Sequence, residues 1–120
     1  MLSTVYWIST ILISAFLLVS SYTYFFSSST IEGVRQLGFP DFFRIQLGIL
    51  KLLAAVILVL KILPTYVKEW AYAGTALFLV TAVVAHIAHR DSKWIQLLLV
   101  ILMVILIISW YTYHKTLNNN

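Results

Sequence analysis

Residues 42–63 read FFRIQLGILKLLAAVILVLKIL, and this stretch decides the fold. A bilayer core takes about 20 apolar residues per helix, so the stretch is long enough to cross, and Lys51 falls near its middle. An ammonium at that depth is expensive to hold. Ionisable side chains inside membrane spans therefore face the bundle interior and are functional candidates by default. Residues 44, 48 and 51 are spaced by four and three, which puts Arg44, Gly48 and Lys51 on one helical face that Ala55 continues. Most of the remaining positions are Ile, Leu and Val. The cationic face is expected to point into a bundle, away from lipid.

Three further runs of similar character lie outward from it: Leu2 to Phe26, Trp70 to Ile87 and Trp94 to Tyr113. The chain of 120 residues is 62% hydrophobic and only 10% charged, with a mean hydropathy of +0.96. A soluble domain carries roughly 25% charged residues, so this chain has too few to cover a water-facing surface. The expectation is an all-α membrane protein, a four-transmembrane-helix bundle forming one domain over residues 1–120. The first run lacks a basic leader and matches the later runs in character, so it reads as a retained span rather than a signal peptide.

The absence of cysteine removes disulfides and dithiol redox chemistry. The net charge of +4 comes from basic residues scattered singly, which suits anionic lipid head groups. They form no basic face and no aromatic RNA motif, so no nucleic-acid partner is expected.

Within the first run, Ser3, Thr10, Ser14 and Ser21 fall close to one stripe, a pattern that lets helices approach and hydrogen-bond. Between the first two spans, Ser28-Ser29-Thr30 followed by Glu32 resembles a helix cap with an acid in the first turn. Ile31, Val34, Leu37 and Phe39 give this segment an apolar side. A short interfacial helix is expected there, ended by Gly38, with Pro40 opening span two and Asp41 in its first turn. Pro64 to Lys68 reads as a tight turn with Lys61 at the interface. Glu69 is then expected in the first turn of span three, with Trp70 and Tyr72 at head-group depth. Gly48 and Gly74 suit close helix contact. Thr75, Ala82, His86 and His89 lie along one stripe. Asp91 or Ser92 is the expected cap of span four, whose Leu, Ile and Val content makes it the expected most lipid-facing helix. Both termini fall on one side of the membrane. The positive-inside rule does not choose that side, because the basic residues nearly balance.

Two motifs carry a resemblance. Leu37-Gly38-Phe39-Pro40-Asp41-Phe42-Phe43-Arg44, followed by Leu47-Gly48 and Lys51, is similar to the DoxX-like family. So is Lys68-Glu69-Trp70-Ala71-Tyr72-Ala73-Gly74, which leads to His86 and Arg90-Asp91 where the family has a His before a Gly-Asp pair. The resemblance covers about Ser20 to Asp91, with span four matching only as a generic apolar helix. It implies a small four-helix integral protein, mostly bacterial and so in the inner (plasma) membrane. It further implies an association with thiosulfate:quinone oxidoreductase and membrane oxidoreductase complexes. The broader group also resembles membrane chaperones that assist receptor assembly.

The ligand-site candidates are Lys51 and Arg44, which could hold an anion, a quinone head group or a proton pathway. Glu32 is the expected partner of Lys51, and Asp41 pairs with Arg44 three residues on. His86 with His89 gives an incomplete metal set, since a catalytic metal usually needs three protein ligands, so no metal is assigned. No nucleophile with a base and no paired central carboxylates occur, so no catalytic residue is assigned and a self-standing enzyme is disfavoured. The favoured reading is an accessory subunit of a quinone-linked membrane redox system. The alternatives are an assembly factor for client membrane proteins, or a small anion or lipid transporter. Expected partners are membrane lipid, redox-complex subunits or clients, and a second copy of the chain. A cation exporter of the small multidrug-resistance type is disfavoured, because the first span has no carboxylate.

Overall fold

A computed structural model describes residues 2–60, 62–88 and 93–118. Five helices follow in order: α1 (Leu2–Phe26), α2 (Ser28–Gln36), α3 (Asp41–Val59), α4 (Thr65–Ala88) and α5 (Lys93–Asn118). Four of them, all but α2, are long and apolar enough to cross a membrane. The longest dimension is 48 Å, close to the full thickness of a bilayer with its head groups, about 40–45 Å. The expected all-α membrane bundle is what forms.

The helices pack as a square. α1 lies against α3 and α5, and α4 against α3 and α5, so that α1 and α4 face each other across one diagonal. The core is built from Ile13 and Leu17 of α1, Ala55 and Leu58 of α3, Leu79 of α4, and Leu99, Leu102 and Leu106 of α5. The large outward-facing side chains, such as Ile8, Val19, Leu53 and Leu77, are apolar, as a lipid-facing surface requires.

The α1 hydroxyl stripe fixes the register of its neighbours. Ser14 Oγ donates to the Ala55 carbonyl at 3.2 Å and Ser21 Oγ to the Gly48 carbonyl at 2.7 Å, both on α3. Thr10 and Ser109 of α5 share a bond of 2.6 Å. Ser109 also meets the Tyr72 hydroxyl of α4 at 2.7 Å, joining three helices at one oxygen. Ser3 is exposed and takes no part in this seam.

The interfacial helix α2 forms as expected, with its cap one residue earlier. Ser27 Oγ accepts from the Thr30 amide at 3.4 Å, so Glu32 lies beyond the first turn. Its end uses the left-handed residue that glycine supplies: Gly38 has φ 92°. The Gly38 amide reaches the Arg35 carbonyl and the Phe39 amide the Val34 carbonyl, the paired bonds of a Schellman stop. Pro40 caps α3, and Asp41 is its first residue.

Several boundaries and faces differ from expectation. Span two ends at Val59, because Leu60 is extended. α4 begins at Thr65, directly after Pro64, a residue whose fixed φ suits a helix entry. Glu69 is therefore one turn inside the helix rather than in its first turn. The expected positions of Lys61 at the interface, of His89, and of Asp91 or Ser92 as a cap lie outside the described residues. The least buried span is α4, not α5: 22% of its apolar window is buried against 28% for α5. The difference arises because α5 packs along α1 far more extensively than α4 does along α3. Gly48 lies under the Phe25 ring, where an added Cβ would fall 2.9 Å from a ring carbon. Gly74 meets nothing within 4 Å, so only the first of the two glycines serves close approach.

Two substitutions test the packing. Ser109→Ala should lower stability by about 1 kcal/mol, the scale of an interhelical hydrogen bond in membranes. Gly48→Leu should lower it by about 1–3 kcal/mol through overpacking. Gly48→Ala should stay near neutral, since its gain in helix propensity, about 1 kcal/mol, offsets the displacement of Phe25. Thermal unfolding in detergent measures all three.

Candidate functional site

Lys51 projects from the middle of α3 into the bundle and is 7% exposed. Its Nζ donates to Ser20 Oγ at 2.7 Å. It also lies 3.9 Å from the centre of the Tyr24 ring and 5.6 Å from that of Phe78. A desolvated cation over an aromatic face gains about 2 kcal/mol, which helps hold the charge. Among the described residues no carboxylate comes within ion-pair distance of it. The expected partner, Glu32, does not reach it. That side chain is exposed on α2, 3.9 Å from Arg35, because α2 turns Val34 toward the protein and its polar residues outward.

Arg44 lies one and two turns nearer the α2 end on the same face, buried with Gly48 and Lys51. Its Nη1 donates to the Tyr24 carbonyl, so Tyr24 serves both cations, one through its ring and one through its backbone. The expected pairing with Asp41 is present, with Arg44 Nε 3.8 Å from Oδ1, yet Nε makes no hydrogen bond. Asp41 is bound more closely by Arg35, which grips both carboxylate oxygens at 3.1 and 3.0 Å. That fork raises the Arg35 guanidinium above its ordinary range. His86 lies half-buried in the last turn of α4.

The second interior amine is Lys68, which the tight-turn reading of the sequence overlooked. It is 1% exposed, because α4 starts at Thr65 and carries Lys68 onto the inward face. Lys68 Nζ donates to the Leu58 carbonyl at 2.7 Å and to the Tyr6 hydroxyl at 3.1 Å, with the Tyr113 ring centre 5.4 Å away. Tyr6 itself donates to the Leu58 carbonyl at 3.3 Å. The signal was present in the sequence: Lys68, Tyr72, Thr75 and Leu79 are spaced by four, three and four, and all are buried. A cavity of about 310 Å³ opens at this end of the bundle, bordered by Ser3, Tyr6, Trp7, Pro64, Lys68 and Tyr113.

The comparison with protein families bears on both amines. A model described as the DoxX-like family matches residues 8–110. The chain belongs to the DoxX-like family. The match runs past Asp91 into α5, further than the resemblance read from the two motifs. No curated protein and no solved structure matches the chain.

In this DoxX-like protein the first motif builds one end of the bundle. Gly38 and Pro40 make the corner, Asp41 ties Arg35 and Arg44, and Gly48 and Lys51 face α1. The second motif divides between core and surface. Tyr72 is 4% exposed and turned inward, whereas Trp70 is 70% exposed. Glu69 accepts from the Trp110 indole at 3.1 and 3.2 Å and pairs with His114, so it ties α4 to α5. Neither Trp110 nor His114 was singled out with Glu69 in the sequence, since the register between α4 and α5 is a tertiary property.

Replacing Lys68 with Met would leave the Leu58 carbonyl without its strongest donor inside the bundle. A buried hydrogen bond from a charged donor contributes about 1.5–3 kcal/mol, so Lys68→Met should lower the thermal midpoint in detergent well below that of Lys115→Met, whose side chain is exposed.

Proposed function

We propose that this DoxX-like protein is an accessory subunit of a quinone-linked redox system in the bacterial inner membrane. The observation that carries the reading is the Lys51 amine: a cation deep in a span, held by one hydroxyl and two aromatic rings. A lysine ammonium has three donors, and one is engaged by Ser20. Donor capacity in a low-dielectric interior suits a carbonyl oxygen that gains negative charge on reduction, as a quinone's does, since charge–dipole interactions strengthen away from water. The association with quinone-dependent oxidoreductases that the family resemblance implies points the same way. In this role the chain binds and positions, while electron transfer belongs to its partner.

The expected outcome is that Lys51→Met, inserted at normal levels, lowers quinone-dependent reductase activity of membranes by tenfold or more, a loss of about 1.4 kcal/mol of stabilisation. Undiminished activity in that variant would remove the site from consideration.

A second reading rests on a separate feature. α4 is the least buried span, and between it and α5 runs a groove bordered by Ala73, Ala76, Met103 and Ile107. Small residues beside an apolar groove let another helix approach, which suits an assembly factor receiving a client span. Photo-crosslinkers placed at Ala73 and Ala76 should capture several unrelated membrane proteins if this reading holds. Capture of one oxidoreductase subunit alone would favour the first.

A further inference from the structure

Among the described residues, Glu69 is the only carboxylate that α4 or α5 carries. It stands with Trp110 at one end of the groove between these helices, a hollow of about 280 Å³ whose walls further along include Ala73, Ala76, Met103 and Ile107. Glu69 and Ala76 are two turns apart, about 10 Å along the helix. The groove is therefore charged at one end and apolar along the rest of its length.

Two side chains donate to the carboxylate, the Trp110 indole and His114. An ionised carboxylate has about four lone-pair sites, so it keeps capacity for a further donor. Among the described residues His114 is the only basic group within ion-pair distance of it, and a neutral imidazole donates an N–H without cancelling the negative charge. Lys68 is turned the other way, toward the Leu58 carbonyl and the Tyr6 hydroxyl. Lys115 is exposed, with its amine 5.5 Å from the centre of the Tyr111 ring. Trp110 borders the charged end of the groove, and the face of an indole attracts a cation.

We infer that this groove binds a lipophilic cation, an ammonium joined directly to an apolar body. The ammonium meets Glu69 and Trp110, and the body lies along Ala73, Ala76 and Met103. Charge complementarity selects a cation, and the arrangement of the walls selects its form. In an amine-headed phospholipid a phosphate and a glycerol separate the amine from its chains. Here the wall is already apolar at Ala73, one turn from Glu69, and a phosphate held there would be repelled by the carboxylate. The occupant is therefore a free amphiphilic amine rather than a lipid head group. The volume lies just under the range of small-molecule pockets, about 300–1,000 Å³, which suits a short chain. This site uses neither Lys51 nor a redox partner. A client helix laid in the groove would exclude the cation, and crosslinking at Ala73 and Ala76 without added cation tests that reading separately.

The test uses the full chain in a neutral detergent at pH 8, above the ordinary imidazole range of about 6.5. It is titrated calorimetrically with octyltrimethylammonium, octanol or octylphosphocholine, and the heats of protein-free micelles are subtracted. Octyltrimethylammonium is expected to bind at least tenfold more tightly than either of the others. Glu69→Gln, which keeps an oxygen for Trp110, should erase that preference and leave octanol binding unchanged. Ala73→Phe fills the groove from an exposed position and should weaken cation binding at least tenfold. Where Glu69→Gln does not fold, Ala73→Phe decides. Equal binding of octanol, a full preference in Glu69→Gln, or undiminished cation binding in Ala73→Phe would overturn the inference. So would octylphosphocholine binding as tightly as octyltrimethylammonium, since its phosphate comes between ammonium and chain. None of these results depends on the quinone-linked activity assigned to Lys51.

Discussion

Inside a bilayer a hydroxyl has no water to turn to, and a helix offers it only carbonyl oxygens or other hydroxyls. That constraint organises this bundle. α1 carries Ser14 and Ser21 toward the carbonyls of Ala55 and Gly48 on α3, and Tyr6 toward that of Leu58. Three such bonds along one helix pair set its rotation and its axial register together. Because α3 is held in this register, Lys51 meets Ser20 and Tyr24 rather than acyl chains. The same register brings Leu58 to Lys68. Both interior amines thus depend on the hydroxyl pattern of the first helix, which itself carries no charge.

The two amines are held differently. Lys51 relies on one hydroxyl and on aromatic faces, which leaves it donor capacity. Lys68 sits between a carbonyl and a phenol, almost wholly enclosed, with its cavity opening past rings and hydroxyls. Lys51 lies near the middle of α3 and Lys68 near the start of α4, so the two charges sit at different levels of the bundle. Arg44 adds to the first of these through Tyr24, and the exposed fork between Arg35 and Asp41 anchors the start of α3 to the interfacial helix.

Much of this was legible in the chain. Spacing alone put Arg44, Gly48 and Lys51 on the inward face of α3, and glycine with proline marked the corner at residues 38–40. The hydroxyl stripe of α1 was visible, though not its acceptors, because a carbonyl of α3 has no signature in sequence. Lys68 was hidden by a boundary error: with the helix begun four residues too late, its alignment with Tyr72, Thr75 and Leu79 went unused. Glu32 was misjudged for another reason. Opposite charge suggested a pair with Lys51, but the rotation of a nine-residue surface helix is decided by its apolar side, which sends the carboxylate outward. Span four looked featureless because Ser109 lies toward its end and meets α1 and α4 only after the helices assemble, while the Thr112 hydroxyl bonds back to its own helix.

The bond between Lys68 and Tyr6 joins the two helices that stand on the diagonal of the square. Their backbones do not approach each other closely, so here the gap is set by the reach of a lysine and a tyrosine. Such a brace works like a strut: it resists shear of the frame while keeping opposite corners apart. The hollow beside it is thus a by-product of the span between two long side chains, and its width is fixed by their length.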